Sequence, residues 1–136
     1  MDIIRVPTQY CTLKNLYIPF GMNSNNTLKM DVRDEKSVLK IKDAEKRLVE
    51  GIPDKEKYAF RSRLTQKGTY APSIFTIVPK HKGQYPVVIE SQHVDTVFTL
   101  KGKKVESAQL FVDTLLAKND TLQCVWKVKR LILKHV

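Results

Sequence analysis

Between Gly83 and Phe98 the chain reads GQYPVVIESQHVDTVF, which sets Glu90, His93 and Asp95 close together in sequence. Two carboxylates around an imidazole are the makings of a zinc site or of an acid–base pair near neutral pH. Either use requires the three side chains to converge, for a metal on a point ~2 Å from each donor atom. In one straight strand they do not, because side chains alternate faces: His93 and Asp95 fall together and Glu90 opposite. The apolar residues flanking them change parity as well. Val87 and Ile89 sit at odd positions, whereas Val94, Thr96, Phe98 and Leu100 sit at even ones. A bend or bulge is therefore expected near Ser91–His93, joining two strands of opposite register. The stretch reads first as a polar connection and only third as the site of a small enzyme.

Other routes to catalysis leave no trace in the sequence. There is no GxSxG elbow and no HExxH pair, and the chain has five glycines, none at the spacing of a phosphate loop. Cys11 and Cys124 are the two cysteines. They are too few for a four-thiolate metal site and are expected as buried free thiols. No cofactor is implied, and the chain is expected not to be an enzyme.

Charge is the stronger signal. The sequence holds 24 Lys and Arg against 14 Asp and Glu, a net of +10. Residues 54–136 carry 15 basic and 7 acidic side chains, so most of the excess lies there. A field of that sign gathers polyanions and speeds their encounter. The candidate phosphate-binding residues come in four groups. Lys55, Lys57, Arg61, Arg63 and Lys67 are interleaved with Tyr58, Phe60 and Tyr70; Lys80 and Lys82 flank His81; Lys101, Lys103 and Lys104 surround Gly102; and Lys127, Lys129 and Arg130 lie near the C-terminus. Arginine offers paired hydrogen bonds to phosphate and lysine a point charge. Tyr58, Tyr70 and Tyr85 are expected at the surface, and Phe75, Phe98, Phe111 and Trp126 in the core.

The elements expected to position these groups belong to one compact α+β domain spanning 1–136, with a mainly antiparallel sheet and two to three amphipathic helices. Residues 1–36 read as an extended, hairpin-like segment, with a turn in GMNSNN (21–26) and prolines at segment ends. Residues 37–66 read as helical. Ser37 opens a helix with Val38, Ile41, Ala44 and Leu48 on one face, stopped by a left-handed Gly51 and by Pro53. A second helix is expected over 54–66, which would align Lys57 with Arg61. Residues 73–105 read as β, including 94–100. Residues 106–118 read as a helix with the stripe Ala108, Phe111, Val112, Leu115 and Leu116, ended by a left-handed Asn119. Residues 121–136 form a strand-like tail in which Arg130 breaks the alternation.

Apolar residues make up 42% of the chain, enough for a core, but no apolar run reaches the ~20 residues of a membrane helix. The N-terminus lacks a secretory pattern, so an intracellular, cytoplasmic or nuclear, setting is expected. Together these features point to a non-catalytic, basic nucleic-acid-binding protein. RNA is favoured over DNA, in a small subunit of a larger nucleoprotein assembly of translation or transcription type with protein partners. The alternative is an assembly module of a polymerase or viral particle that binds other proteins.

Overall fold

A computed structural model describes residues 2–135. Its strands are β1 (Asp2–Tyr17), β2 (Thr27–Val32), β3 (Ala59–Phe60), β4 (Leu64–Thr65), β5 (Ser73–Ile77), β6 (Val88–Glu90), β7 (Lys104–Lys118), β8 (Thr121–Cys124) and β9 (Lys127–Leu133). One α-helix, α1 (Glu35–Glu50), follows β2. β1 pairs antiparallel with β2 and with β7, and β2 with β5. β5 meets β9 in parallel, and β9 returns antiparallel to β7. The sequence of neighbours β1–β2–β5–β9–β7–β1 closes on itself, so five strands form a ring around the core. Closing a sheet removes exposed strand edges, which a small open sheet would have to protect.

The architecture is a mixed sheet with 47% strand and 14% helix, and its single helix overturns the expected compact α+β domain with two to three amphipathic helices. Parallel pairs occur at β3–β8, β5–β9 and β6–β9. Inward positions follow the period of two. On β2 these are Leu28, Met30 and Val32, and on β5 Ile74 and Thr76, whose hydroxyl donates to the Leu28 carbonyl at 2.7 Å. Leu13, Leu16, Leu110, Val128 and Leu131 complete the interior.

The helix expected over 106–118 is β7. Its buried residues are Val105, Ser107, Ala108, Leu110, Val112, Thr114, Leu115 and Ala117. Alternation slips at the buried neighbours Ser107–Ala108 and again at Thr114–Leu115. Two slips in one strand space the apolar residues so that a helical stripe fits them by accident. In the strand that stripe divides, with Ala108, Val112 and Leu115 inward and Phe111 and Leu116 only partly buried. Asn119 is left-handed (φ 48°), as is Asp120 (φ 65°), but the pair makes the two-residue turn between β7 and β8.

The helix expected over 54–66 is also absent. A single 3₁₀ turn at Lys55–Lys57 precedes β3 and β4. Backbone partners outside the segment decide this. The Ala59 and Arg61 N–H groups donate to the Asp120 and Leu122 carbonyls at 2.7 and 2.9 Å, and β4 pairs with β5. Propensity yields to pairing that a local reading does not contain.

α1 begins at Glu35 after Asp34, two residues ahead of Ser37. It buries Ser37, Ile41, Ala44, Glu45 and Leu48. Gly51 at its end is right-handed (φ −80°) and not left-handed, while Asp54 (φ 57°) makes the reversal. Ser37 anchors the helix to β1, since its hydroxyl accepts from the Lys14 N–H at 2.9 Å. Glu45 ties the helix to residues 62–63 and to Trp126. Its carboxylate accepts from the Trp126 indole N–H and from the Arg63 N–H, both at 3.2 Å, and from the Ser62 hydroxyl.

Residues 94–100 also depart from the strand expected there. This segment is a turn and not a strand, and its inward residues are Val97 and Leu100. Asp95 accepts from the Thr99 hydroxyl, and the Thr99 hydroxyl accepts from the Thr96 N–H, which coils the backbone.

Candidate nucleic-acid interface

Glu90, His93 and Asp95 do not converge. Glu90 leaves β6 to pair with Arg130 on β9. His93 is exposed in the bend after β6. Asp95 accepts hydrogen bonds from Ser91 (2.8 Å) and Thr99 (2.9 Å) and lies 3.6 Å from the Lys103 ammonium. Those hydrogen bonds, the Ser91 one foremost, hold its carboxyl below the usual carboxylate range, with Lys103 adding to the effect. Among the described residues no group of three or more His, Cys, Asp or Glu could hold a metal ion. Cys11 and Cys124 are free and buried, and burial pushes the Cys124 thiol up to about 12. A thiol so held is no nucleophile at neutral pH.

The thirteen basic residues singled out above spread around the ring. Lys55 and Lys57 stand exposed on the 3₁₀ turn, Lys57 beside Asp54 at 3.5 Å. Without the helix, Lys57 and Arg61 do not share a helical face. Arg61 and Arg63 line a cleft with Lys118 and Gln123 under the β7–β8 turn. Lys80 lies over the Tyr85 ring at 5.4 Å, and Lys82 (φ 49°) is in the turn that follows. On the outside of β9, Lys127 bonds Asp113 at 2.8 Å and Lys129 lies 4.7 Å from the centre of the Tyr10 ring. The bond from Lys127 is the main reason the Asp113 carboxyl sits below the ordinary range. The break in alternation at Arg130 is a bulge, since Gln109 opposes Arg130 and Leu110 opposes Val128, passing over Lys129. Lys101, Lys103 and Lys104 gather with Gln92, His93 and Lys134 around a cleft of about 400 Å³.

A second arrangement draws on residues that charge counting passes over. The outward side chains of β2 and β5 include Lys29 and Phe75, which are directly opposite in the register. The Lys29 ammonium lies 5.4 Å from the centre of the Phe20 ring and 5.9 Å from that of Phe75. Arg33 stacks over Tyr17 at 4.9 Å. Phe20, Phe75 and Tyr70 share a cleft of about 580 Å³ with Lys29, Arg33 and Lys67. Asp31 is the one acid in it, and it accepts from the Ser73 hydroxyl at 3.0 Å. Phe20 is 69% exposed and Tyr70 79%, so two large rings stand in water on one face. Aromatic rings at cation distance from ammonium and guanidinium groups supply both a stacking surface and positive charge.

Of the residues lining this cleft, only Lys67 and Tyr70 are marked by the sequence as candidates for binding or the surface. Phe75 and Phe98 were expected in the core, yet both are exposed, while Trp126 is buried. The available signal was strand parity. In SIFTI, Ile74 and Thr76 face in and Phe75 faces out, which a single buried face demands.

No family model matches the chain, and neither curated proteins nor solved structures give a match. Among the described residues no helix is long and apolar enough to cross a membrane. The site's own geometry is therefore the basis for a functional reading.

Proposed function

We propose that the chain is a non-catalytic nucleic-acid-binding protein, working inside the cell as a small subunit of a nucleoprotein assembly. Single strands are its preferred ligand. The observation that carries this reading is the cleft over β2 and β5, where Phe20, Tyr70 and Phe75 stand beside Lys29, Arg33 and Lys67. Unstacked bases lie on aromatic faces whatever their sequence, and cations follow the backbone. Duplex offers no free base faces, so this surface favours single-stranded RNA or DNA. Small five-stranded barrels bind oligonucleotides on an outer strand face and its adjoining loops, an analogy of architecture alone.

The test is substitution at exposed rings. Phe20→Ala and Phe75→Ala each weaken binding of a labelled single strand by ~1–3 kcal/mol per lost stack. Unchanged affinity in both variants, with the wild-type melting temperature retained, contradicts the assignment.

A second reading has its own observation. Val94 is 96% exposed and Phe98 75% exposed, and Phe98 meets Tyr85 edge-on at 5.7 Å between ring centres. The same region holds β6, the last strand in the sheet order. An exposed apolar loop beside a terminal strand suits docking to another protein of the assembly.

A further inference from the structure

We propose that a single strand seated on the β2–β5 cleft continues across the Gly21–Lys101 contact into the lysine cleft of the 101–104 turn. The two clefts then act as one track, the first taking bases and the second phosphates. This rests on the nucleic-acid reading above and deepens it by assigning the second cleft.

Three observations carry the inference. The first is physical continuity. Pro19 and Phe20 line the aromatic cleft, and the next residue is Gly21. A side-chain carbon at Gly21, whose φ is +74°, would lie 3.3 Å from Lys101 Cβ, and Lys101 lines the second cleft. Two hydrogen bonds fix the seam: Gly102 N–H donates to the Ile18 carbonyl at 2.7 Å, and Ile18 N–H donates to the Lys103 carbonyl at 3.0 Å. A side chain at 21 would be strained at that φ and would need Lys101 to give by a few tenths of an ångström.

The second observation is charge. Lys101, Lys103, Lys104 and Lys134 line the second cleft against one acid, Asp95. Asp95 is already bonded to Ser91 and Thr99 and paired with Lys103, so it leaves most of the positive field unopposed. The third is the division of chemistry. The first cleft carries three aromatic rings of Phe or Tyr, and the second carries none. Its only rings are the imidazoles of His93 and His135, set among four ammonium groups, and a surface so dominated by lysine suits backbone phosphates.

The experiment measures length dependence. Labelled oligo-U and oligo-dT of about 4 and about 10 nucleotides are titrated at several salt concentrations against the wild type and a Lys101→Gln/Lys104→Gln/Lys134→Gln variant. All three lysines are exposed, and among the described residues none of them forms a side-chain ion pair. A thermal melt matching the wild type confirms that the variant is folded. For the wild type, the longer strand binds about thirtyfold tighter or better, beyond the roughly sevenfold that counting registers supplies. Its salt slope is also steeper by about two counterions. In the variant the shorter strand binds as before, while the longer strand's advantage falls to register counting and the extra slope disappears. Full retention of the advantage in the variant overturns the track while leaving the aromatic cleft in place. Failure of both lengths to bind the wild type overturns the nucleic-acid reading itself. Loss of poly-glutamate binding in the variant, with oligonucleotide binding intact, would reassign the cleft to acidic protein.

Discussion

Glu45 carries more of the fold than its sequence context suggests. It is 1% exposed, and its carboxylate holds two separate parts of the chain to α1, one through Ser62 and the Arg63 N–H and the other through the Trp126 indole N–H. Glu45→Ala leaves the Trp126 and Arg63 donors without an acceptor. Each buried unpaired donor costs about 1–3 kcal/mol, so the pair amounts to roughly 2–6 kcal/mol before the small cavity is added. Glu45→Gln is a sharper probe. Its carbonyl can keep the two N–H donors, while its amide turns toward Ser62, whose hydroxyl is able to accept, so the cost is about 1 kcal/mol. Urea unfolding followed by fluorescence measures both variants, and Trp126 is the sole tryptophan of the chain. The alanine variant should also show a changed native emission, since its indole has lost a partner. A loss under about 1 kcal/mol for Glu45→Ala, or equal losses for Ala and Gln, would refute the reasoning.

Other outcomes follow from the same structure. Cys124 stays protonated in the fold up to about pH 12 but ionises from about 9 in the unfolded chain. Over that window the unfolded state binds fewer protons, so stability falls as pH rises, by up to about 1.4 kcal/mol per unit from this group. Unfolding curves across the window should show the slope reduced in Cys124→Ala, and an identical slope would contradict the assignment. At neutral pH a thiol reagent should modify neither Cys11 nor Cys124 until the chain is unfolded. Asp120→Val places a branched side chain at φ 65° and should cost about 1–3 kcal/mol by the same unfolding measurement, whereas Asp120→Gly should be tolerated. Asp113→Asn removes a partly exposed pair with Lys127 and should cost no more than about 1 kcal/mol.

How much of this was legible in the chain depends on where the determining partners lie. α1 was readable because its inward face, Ile41, Ala44 and Leu48, is set by spacing within one element. Glu45 on the same face was not, because what makes a buried glutamate tolerable there is Trp126, 81 residues away. β7 was misread because bulges distort the one signal that separates strand from helix, and bulges are set by neighbouring strands. The segment 54–66 has helical composition, yet its Ala59 and Arg61 N–H groups find carbonyls at Asp120, in the turn before β8, and at Leu122 on β8. The bend at Ser91–His93 did show in the sequence as a change of parity. The strand expected after it did not form, since Asp95, Thr96 and Thr99 satisfy the backbone locally. Net charge pointed to the basic half of the chain. The aromatic cleft uses Phe20, Lys29 and Arg33 from the nearly neutral half, where the parity of β2 marks Lys29 and Arg33 as outward and Phe20, in the bend after β1, carries no such signal.

The central claim is that the β2–β5 face binds single strands. Its most direct test is fluorescence anisotropy of one labelled sequence, offered as RNA, as single-stranded DNA and as duplex, at about 50 and 200 mM salt. The account predicts that both single strands bind more tightly than duplex, that every affinity falls with salt, and that Phe20→Ala/Phe75→Ala removes the preference for single strands. Absence of binding at the lower salt, or a single-strand preference that survives the double substitution, would contradict it.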